Sequence, residues 1–196
     1  MIRAFLAIDL PETLRPGLAL AQGELKKSQA DVRWVPPGNI HITLKFFGNL
    51  PDAEVPPIIS AARQAASQQA ASQQAPLSLK VLGAGAFPSS RSPRVVWLGL
   101  GGDLLPLSQF FYRLGKAFAQ LGYPPEGRAF NPHLTLGRVR SPEGRPQLSR
   151  TLEKLVVDWP PFQVREIILY QSVLSPRGST YTPLEVIKLM SGGDRD

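Results

Sequence analysis

The sequence predicts an α+β fold of two similar lobes around a central cleft. Three observations carry that reading. Strand-like and helix-like stretches alternate in mixed order, with no regular strand–helix–strand fingerprint. The stretch Asn39-Ile40-His41-Ile42-Thr43-Leu44 recurs as Asn131-Pro132-His133-Leu134-Thr135-Leu136, matching at Asn, His, Thr and Leu. The two copies lie 92 residues apart, close to half of the 196-residue chain, as an internal duplication would place them.

Each element follows from local pattern. Residues 2–9, IRAFLAID, read as a strand. Pro11 opens a helical stretch to about Gln29, with Leu14, Leu18, Ala21 and Leu25 at helical spacing. RWV is extended before the VPPGN turn. NIHITLKFFG, residues 39–48, follows as a strand that Gly48-Asn49 ends. Residues 52–75 read as a helix whose AASQQAASQQ half is a solvated tail, since Ala and Gln favour helix without forming a core face. LSLKVLG and RVVWLGLGG read as strands flanking a loop, AGAFPSSRSP. A helix from about Leu104 to Leu121 precedes the loop GYPPEGRAFNP and the strand HLTLGRV. A shorter helix spans about Leu148–Val156. FQVREIILYQSVL and YTPLEVIKL form a closing pair of strands around SPRGST, and GGDRD reads as a frayed tail.

Composition narrows the function classes. Hydrophobic residues make up 43% and charged residues 19%, which is the balance of a globular chain. No apolar run reaches the ~18–20 residues of a membrane span. The N-terminal apolar run is interrupted by Asp9 and lacks a cleavage site, so no signal peptide is read and the cytoplasm is the expected compartment. The chain has no cysteine, which removes disulfides, thiolate catalysis and cysteine-based zinc sites. A net charge of +7, from 22 basic and 15 acidic residues, favours an anionic partner, nucleic acid first. GLGGDL lacks the third glycine of a dinucleotide loop, and there is no P-loop, His-Glu-x-x-His or Gly-x-Ser-x-Gly motif.

The duplicated stretch holds both histidines of the chain. On a strand, residues i and i+2 share a face. His41 and Thr43 therefore face one way and Ile42, Leu44 and Phe46 the other; His133 and Thr135 likewise oppose Leu134 and Leu136. Apolar faces pack on helices, leaving two His/Thr faces for a cleft. Two histidines across a cleft make a general acid–base pair, because an unperturbed pKa near 6.5 lets one be charged while the other is neutral. The threonine hydroxyls suit the non-bridging oxygens of a phosphorus centre. Arg138 faces the wrong way on a regular strand, but a bulge at Gly137 would turn it inward to pair with phosphate. Lys45 shares the cleft face by parity and is the weaker phosphate candidate. Phe46 is assigned to the core, and Phe47 to either core or base stacking. Two histidines without a carboxylate cluster make a poor metal set.

These motifs, HITL and HLTL, resemble those of the 2H phosphoesterase superfamily, and most closely its RNA 2',3'-cyclic phosphodiesterases, also called 2'-5' RNA ligases. RAFLAIDLP, RWVPPGNIHITLKFFGNL, RAFNPHLTLGR and LYQSVLSPRGSTYTPL resemble the family's opening strand, two motif regions and closing hairpin, so the likeness covers nearly the whole chain. The resemblance implies one bilobal domain over residues 1–196 with two antiparallel sheets lining the cleft. It implies hydrolysis of RNA 2',3'-cyclic phosphate ends to 2'-phosphomonoesters, with no metal or other cofactor. It gives His41 as proton donor to the departing 3'-oxygen, His133 as the base that activates water, and Thr43, Thr135 and Arg138 as phosphate contacts. On the residues alone the two histidine roles are interchangeable. Expected partners are RNA 3' ends or small cyclic-phosphate nucleotides, with no membrane, no obligate protein partner and a monomeric chain. Reverse 2'-5' ligation ranks second within enzymes. The reading from a different class is a single-stranded RNA-binding module without catalysis, which would tolerate loss of either histidine.

Overall fold

The computed structural model describes residues 1–71, 76–125, 127, 129–175 and 178–189. The opening apolar run forms β1 (Ile2–Ile8), with Ala4, Leu6 and Ile8 in the core. A 3-10 turn at Glu12–Leu14 leads into α1 (Arg15–Lys26), later than Pro11 foretold; Pro16 sits in its first turn, where no N–H is needed. β2 (Val32–Trp34) precedes a 3-10 turn at Pro37–Asn39 and β3 (Ile42–Leu50). A turn at Asp52–Glu54 opens α2 (Val55–Ala71). Then follow β4 (Leu77–Ser89), β5 (Ser92–Gly102), α3 (Leu104–Ala119), β6 (His133–Val139) and α4 (Arg145–Lys154). β7 (Phe162–Val164), β8 (Glu166–Ser175) and β9 (Gly178–Lys188) complete the order. The expected helix end at 72–75, the middle of the SPRGST turn and the GGDRD tail lie outside the described residues.

Several expectations change. Asn39 belongs to a 3-10 turn and β3 begins after His41, because Pro36 and Pro37 have no N–H to offer a ladder. Its far end runs through Gly48-Asn49 to Leu50, whose side chain is buried. The expected AGAFPSSRSP loop is mostly strand, with only Ser90 and Arg91 between β4 and β5. Its glycines serve that ladder: Gly83 takes φ +75° within a bulge, and a Cβ on Gly85 would lie 2.5 Å from the Trp97 ring.

Every strand pairing is antiparallel. One sheet has the order β3-β1-β8-β9 and the other β2-β6-β5-β4-β7. β7, expected in the closing pair, joins the second sheet instead, where Phe162 and Val164 are buried. The orders β3-β1-β8-β9 and β6-β5-β4-β7 correspond strand for strand, and each motif ends on the outer strand of its set. The lobes are not the two halves of the chain, however. β2 crosses into the second sheet, and β8 and β9 return to the first.

Two of the helices cross too. α1 leaves the first sheet at β1, packs beside α4, and reaches β6 through Gln22. α3 leaves the second sheet at β5 and meets β3, with Phe118 edge-on to Phe47 at 5.0 Å between ring centres. Phe47 is thereby half-buried against the core. One apolar cluster contains Leu6 and Ile42 of the first sheet together with Leu98 and Leu134 of the second.

Candidate active site

Both motif strands break parity at the same place. On β3, Thr43 lies opposite Ala7 and Lys45 opposite Leu6, so Leu44 is an extra residue, a bulge. On β6, Thr135 lies opposite Trp97 and Gly137 opposite Val96, so Leu136 is the extra residue. Each bulge falls one position after the threonine and flips the faces beyond it. Arg138 therefore turns into the cleft, as expected, although the inserted residue is Leu136. Gly137 is there for clearance: a Cβ on it would lie 2.6 Å from Val32.

The same bulge overturns two readings on β3. Phe46, assigned to the core, is 43% exposed and lines the cleft. Lys45, placed on the cleft face by parity, is buried, and its ammonium donates to the Pro124 carbonyl at 2.6 Å. Phe46 and Arg138 thus occupy matching positions after their histidines.

The histidines are held alike. Nδ1 of His41 lies 2.7 Å from the Asn39 carbonyl oxygen, and Nδ1 of His133 lies 2.7 Å from that of Asn131. A carbonyl only accepts, so both Nδ1 atoms carry the proton. Each neutral ring then presents Nε2 as a lone pair, and each charged ring presents it as a donor. Their surroundings differ. His41 stacks on Phe5 at 4.7 Å and meets the edge of Tyr181 at 5.5 Å. His133 meets Phe87 edge-on at 5.0 Å. Burial pushes the His41 imidazole below its usual value; the Asn39 carbonyl and the Asp9 charge oppose that shift, and Arg15 adds to it.

The cleft has two arms. A recess of about 230 Å³ contains His41, Thr43, Thr135 and Arg138. A larger one of about 870 Å³ contains His133 and shares Thr43, Thr135 and Arg138. The structure thus brings all five predicted residues to one cleft, with the threonines and Arg138 where the arms join. Among the described residues no group of three His, Cys, Asp or Glu side chains is placed to hold a metal ion.

Several residues of the site escaped sequence reasoning. Arg15 donates to the carbonyls of Pro37 at 2.7 Å and Ile40 at 3.0 Å and to Asp9 at 2.9 Å, fixing the turn that delivers His41. Asn39 donates to the Ser179 carbonyl at 2.7 Å, tying that turn to β9. The Tyr170 hydroxyl donates to Asp9 at 3.2 Å, and burial and the Asp9 charge push its pKa up to about 12, so it stays neutral. Nothing local in the sequence marks Arg15 as a clamp. Arg3 and Phe5 were legible in principle, as the alternate positions of β1 facing away from Ala4 and Leu6.

The chain matches the family described as LigT like Phosphoesterase over residues 8–97 and 105–181. It is 38% identical over 189 residues to the RNA 2',3'-cyclic phosphodiesterase of Methanothermobacter thermautotrophicus, covering 96% of this chain and 99% of that one. The protein of the same name from Methanocaldococcus jannaschii is 32% identical, over 95% of this chain and 99% of its own. Among solved structures, TT0787 of Thermus thermophilus superposes with a TM-score of 0.78 at 27% identity, covering 97% of this chain and all of its own. E. coli LigT complexed with 3'-AMP superposes with a TM-score of 0.73 at 26% identity, over 97% of this chain and 99% of its own. A cleft with two identically tethered histidines, on a chain matched along nearly its whole length, makes this protein a member of the LigT-like phosphoesterase family.

Proposed function

We propose that the chain hydrolyses RNA ends bearing a 2',3'-cyclic phosphate, leaving a 2'-phosphomonoester and a free 3'-hydroxyl. The observation that carries this reading is the shared tether: two histidines, each donating its Nδ1–H to its own strand-entry carbonyl, flank one threonine–arginine centre. The cyclic phosphate lies at that centre, its non-bridging oxygens accepting from Thr43, Thr135 and Arg138. Nε2 of neutral His133 takes a proton from water as the water oxygen bonds to phosphorus. The bond from phosphorus to the 3'-oxygen breaks, and Nε2–H of charged His41 protonates the departing oxygen. Exchange with solvent then restores both rings. Each histidine supplies on the order of 10²–10⁴-fold. The compartment proposed for this work is the cytoplasm, and the chain acts as a monomer.

A second reading rests on the larger arm. It is lined by Phe87, Phe111 and Phe130 beside His133 and has room for a nucleoside. A 5'-hydroxyl held there takes the place of water, and the same proton transfers yield a 2'-5' linkage.

The test is a short RNA with a 2',3'-cyclic phosphate end, incubated with chelator and without nucleoside triphosphate. The intact protein is expected to give only the 2'-phosphate. His41→Ala and His133→Ala are each expected to reduce turnover by at least about 100-fold while the RNA still binds. Retained turnover in both variants removes the acid–base pair, and absence of turnover by the intact protein with RNA bound moves the reading to an RNA-binding module.

A further inference from the structure

Arg3 has no role in the chemistry above, yet it lines the His41 arm of the cleft. It lies on the same face of β1 as Phe5, the residue on which His41 stacks. Its guanidinium carbon sits 4.6 Å over the ring of Phe46. Among the described residues no carboxylate pairs with it. An aromatic face holds a guanidinium in place without cancelling its charge, so this arm ends in a fixed, unneutralised cation. The Phe46 ring occupies the position that Arg138 occupies on β6, and Arg3 brings a positive charge back to that side.

Position gives the cation its ligand. Two residues along a strand is about 6.6 Å, so Arg3 stands one step along β1 from Phe5, in the same recess as Thr43, Thr135 and Arg138 but on the Phe46 side of it. The departing 3'-oxygen faces His41, so the ribose and its 5' side extend into this arm. Ser172 and Ser179 line the same recess and can bond a second anion there.

We propose that Arg3 binds the phosphodiester on the 5' side of the terminal nucleotide, so that the protein distinguishes an RNA end from a cyclic mononucleotide. This rests on the hydrolytic reading above and names its substrate more closely.

The experiment compares a nucleoside 2',3'-cyclic phosphate with a trinucleotide ending in the same cyclic phosphate. Both are assayed with intact protein and with Arg3→Met, which keeps the stem over Phe46 and removes the charge. The expected result is a fall of about ten-fold or more in kcat/KM on the trinucleotide, and less than about two-fold on the mononucleotide. A trinucleotide whose last internucleotide linkage is a neutral methylphosphonate should erase the difference between Arg3→Met and intact protein. The salt dependence of trinucleotide binding should lose about one ionic contact. Equal losses on both substrates, or an unchanged loss on the methylphosphonate, overturn the assignment of Arg3 while leaving the hydrolysis intact. Failure of the intact protein on every substrate sinks the hydrolytic reading itself.

Discussion

Burial lowers the proton affinity of the His41 ring, and a bound cyclic phosphate reverses part of that fall, since an anion nearby favours the charged imidazole. As the proposed acid, His41 loses activity on the limb where pH rises. That limb should lie at higher pH in kcat, which reports the complex, than in kcat/KM, which reports the free protein. Asp9 is among the groups that raise the pKa of His41. Asp9→Asn should therefore move this limb of kcat/KM to lower pH, read from a profile between about pH 5 and 8. A limb that stays put or moves up would separate His41 from the acid role. The profile belongs to the histidine pair as a whole, so the comparison between variants, more than either absolute limb, carries the test. The imidazoles themselves were legible in the sequence because the chain has only two and both sit at one offset of a repeat. Their Nδ1 tethers were not, since those depend on the backbone turning back two residues earlier.

At the scale of elements, the bulges decide which side chains face the cleft. Alternation read Thr43 and Thr135 correctly because they precede the bulges, and misread Phe46 and Lys45 because those follow one. A bulge inserts a residue without any obligatory residue type, so Leu44 and Leu136 look like ordinary strand leucines. Gly137 was a usable signal only because a strand glycine implies a close neighbour. The β6 bulge has its own support. Gln22, 2% exposed, donates from Nε2 to the Leu136 carbonyl at 2.9 Å and to the Val35 carbonyl at 2.7 Å. Those bonds span from α1 to the extra residue that aims Arg138. Gln22→Leu leaves the Val35 carbonyl without that partner and should cost on the order of 1–3 kcal/mol of stability. It should also lower kcat/KM in the intact background and have little further effect on top of Arg138→Ala. Equal, additive losses in the two backgrounds would make Gln22 a structural residue only. Strands and helices with clean periodicity, such as β6 and α3, were read nearly to the residue. The β4–β5 ladder was hidden by glycines and two prolines, Pro88 and Pro93, that usually mark loops.

For the whole molecule, helix crossing joins the two sheets into one cooperative body. α1 and α3 each reach the opposite sheet while α2 and α4 stay with their own, and residues of both sheets share one apolar cluster, so neither core is complete without the other. Calorimetric and van't Hoff enthalpies of unfolding should agree, and a resolved second transition would contradict the shared core. His41 contributes to the pH dependence of that transition. Its pKa is lower in the folded protein than the value of 6.5 it has when unfolded, so the unfolded chain binds the proton first. The associated stability is complete above about pH 6.5 and is lost as pH falls toward the folded value. Urea midpoints should drop from pH 7.5 to pH 5.5, and the drop should shrink in His41→Asn; an equal drop in both would assign it to other groups. The placement of β1 has a different kind of consequence. Its neighbours are β3, made soon after it, and β8, whose first residue is Glu166. At ribosomal speeds of roughly 5–20 residues per second, β1 waits on the order of ten seconds for that second neighbour. Throughout that interval the growing chain carries His41 beside an open sheet edge, and that wall of the cleft closes only once β8 has been made.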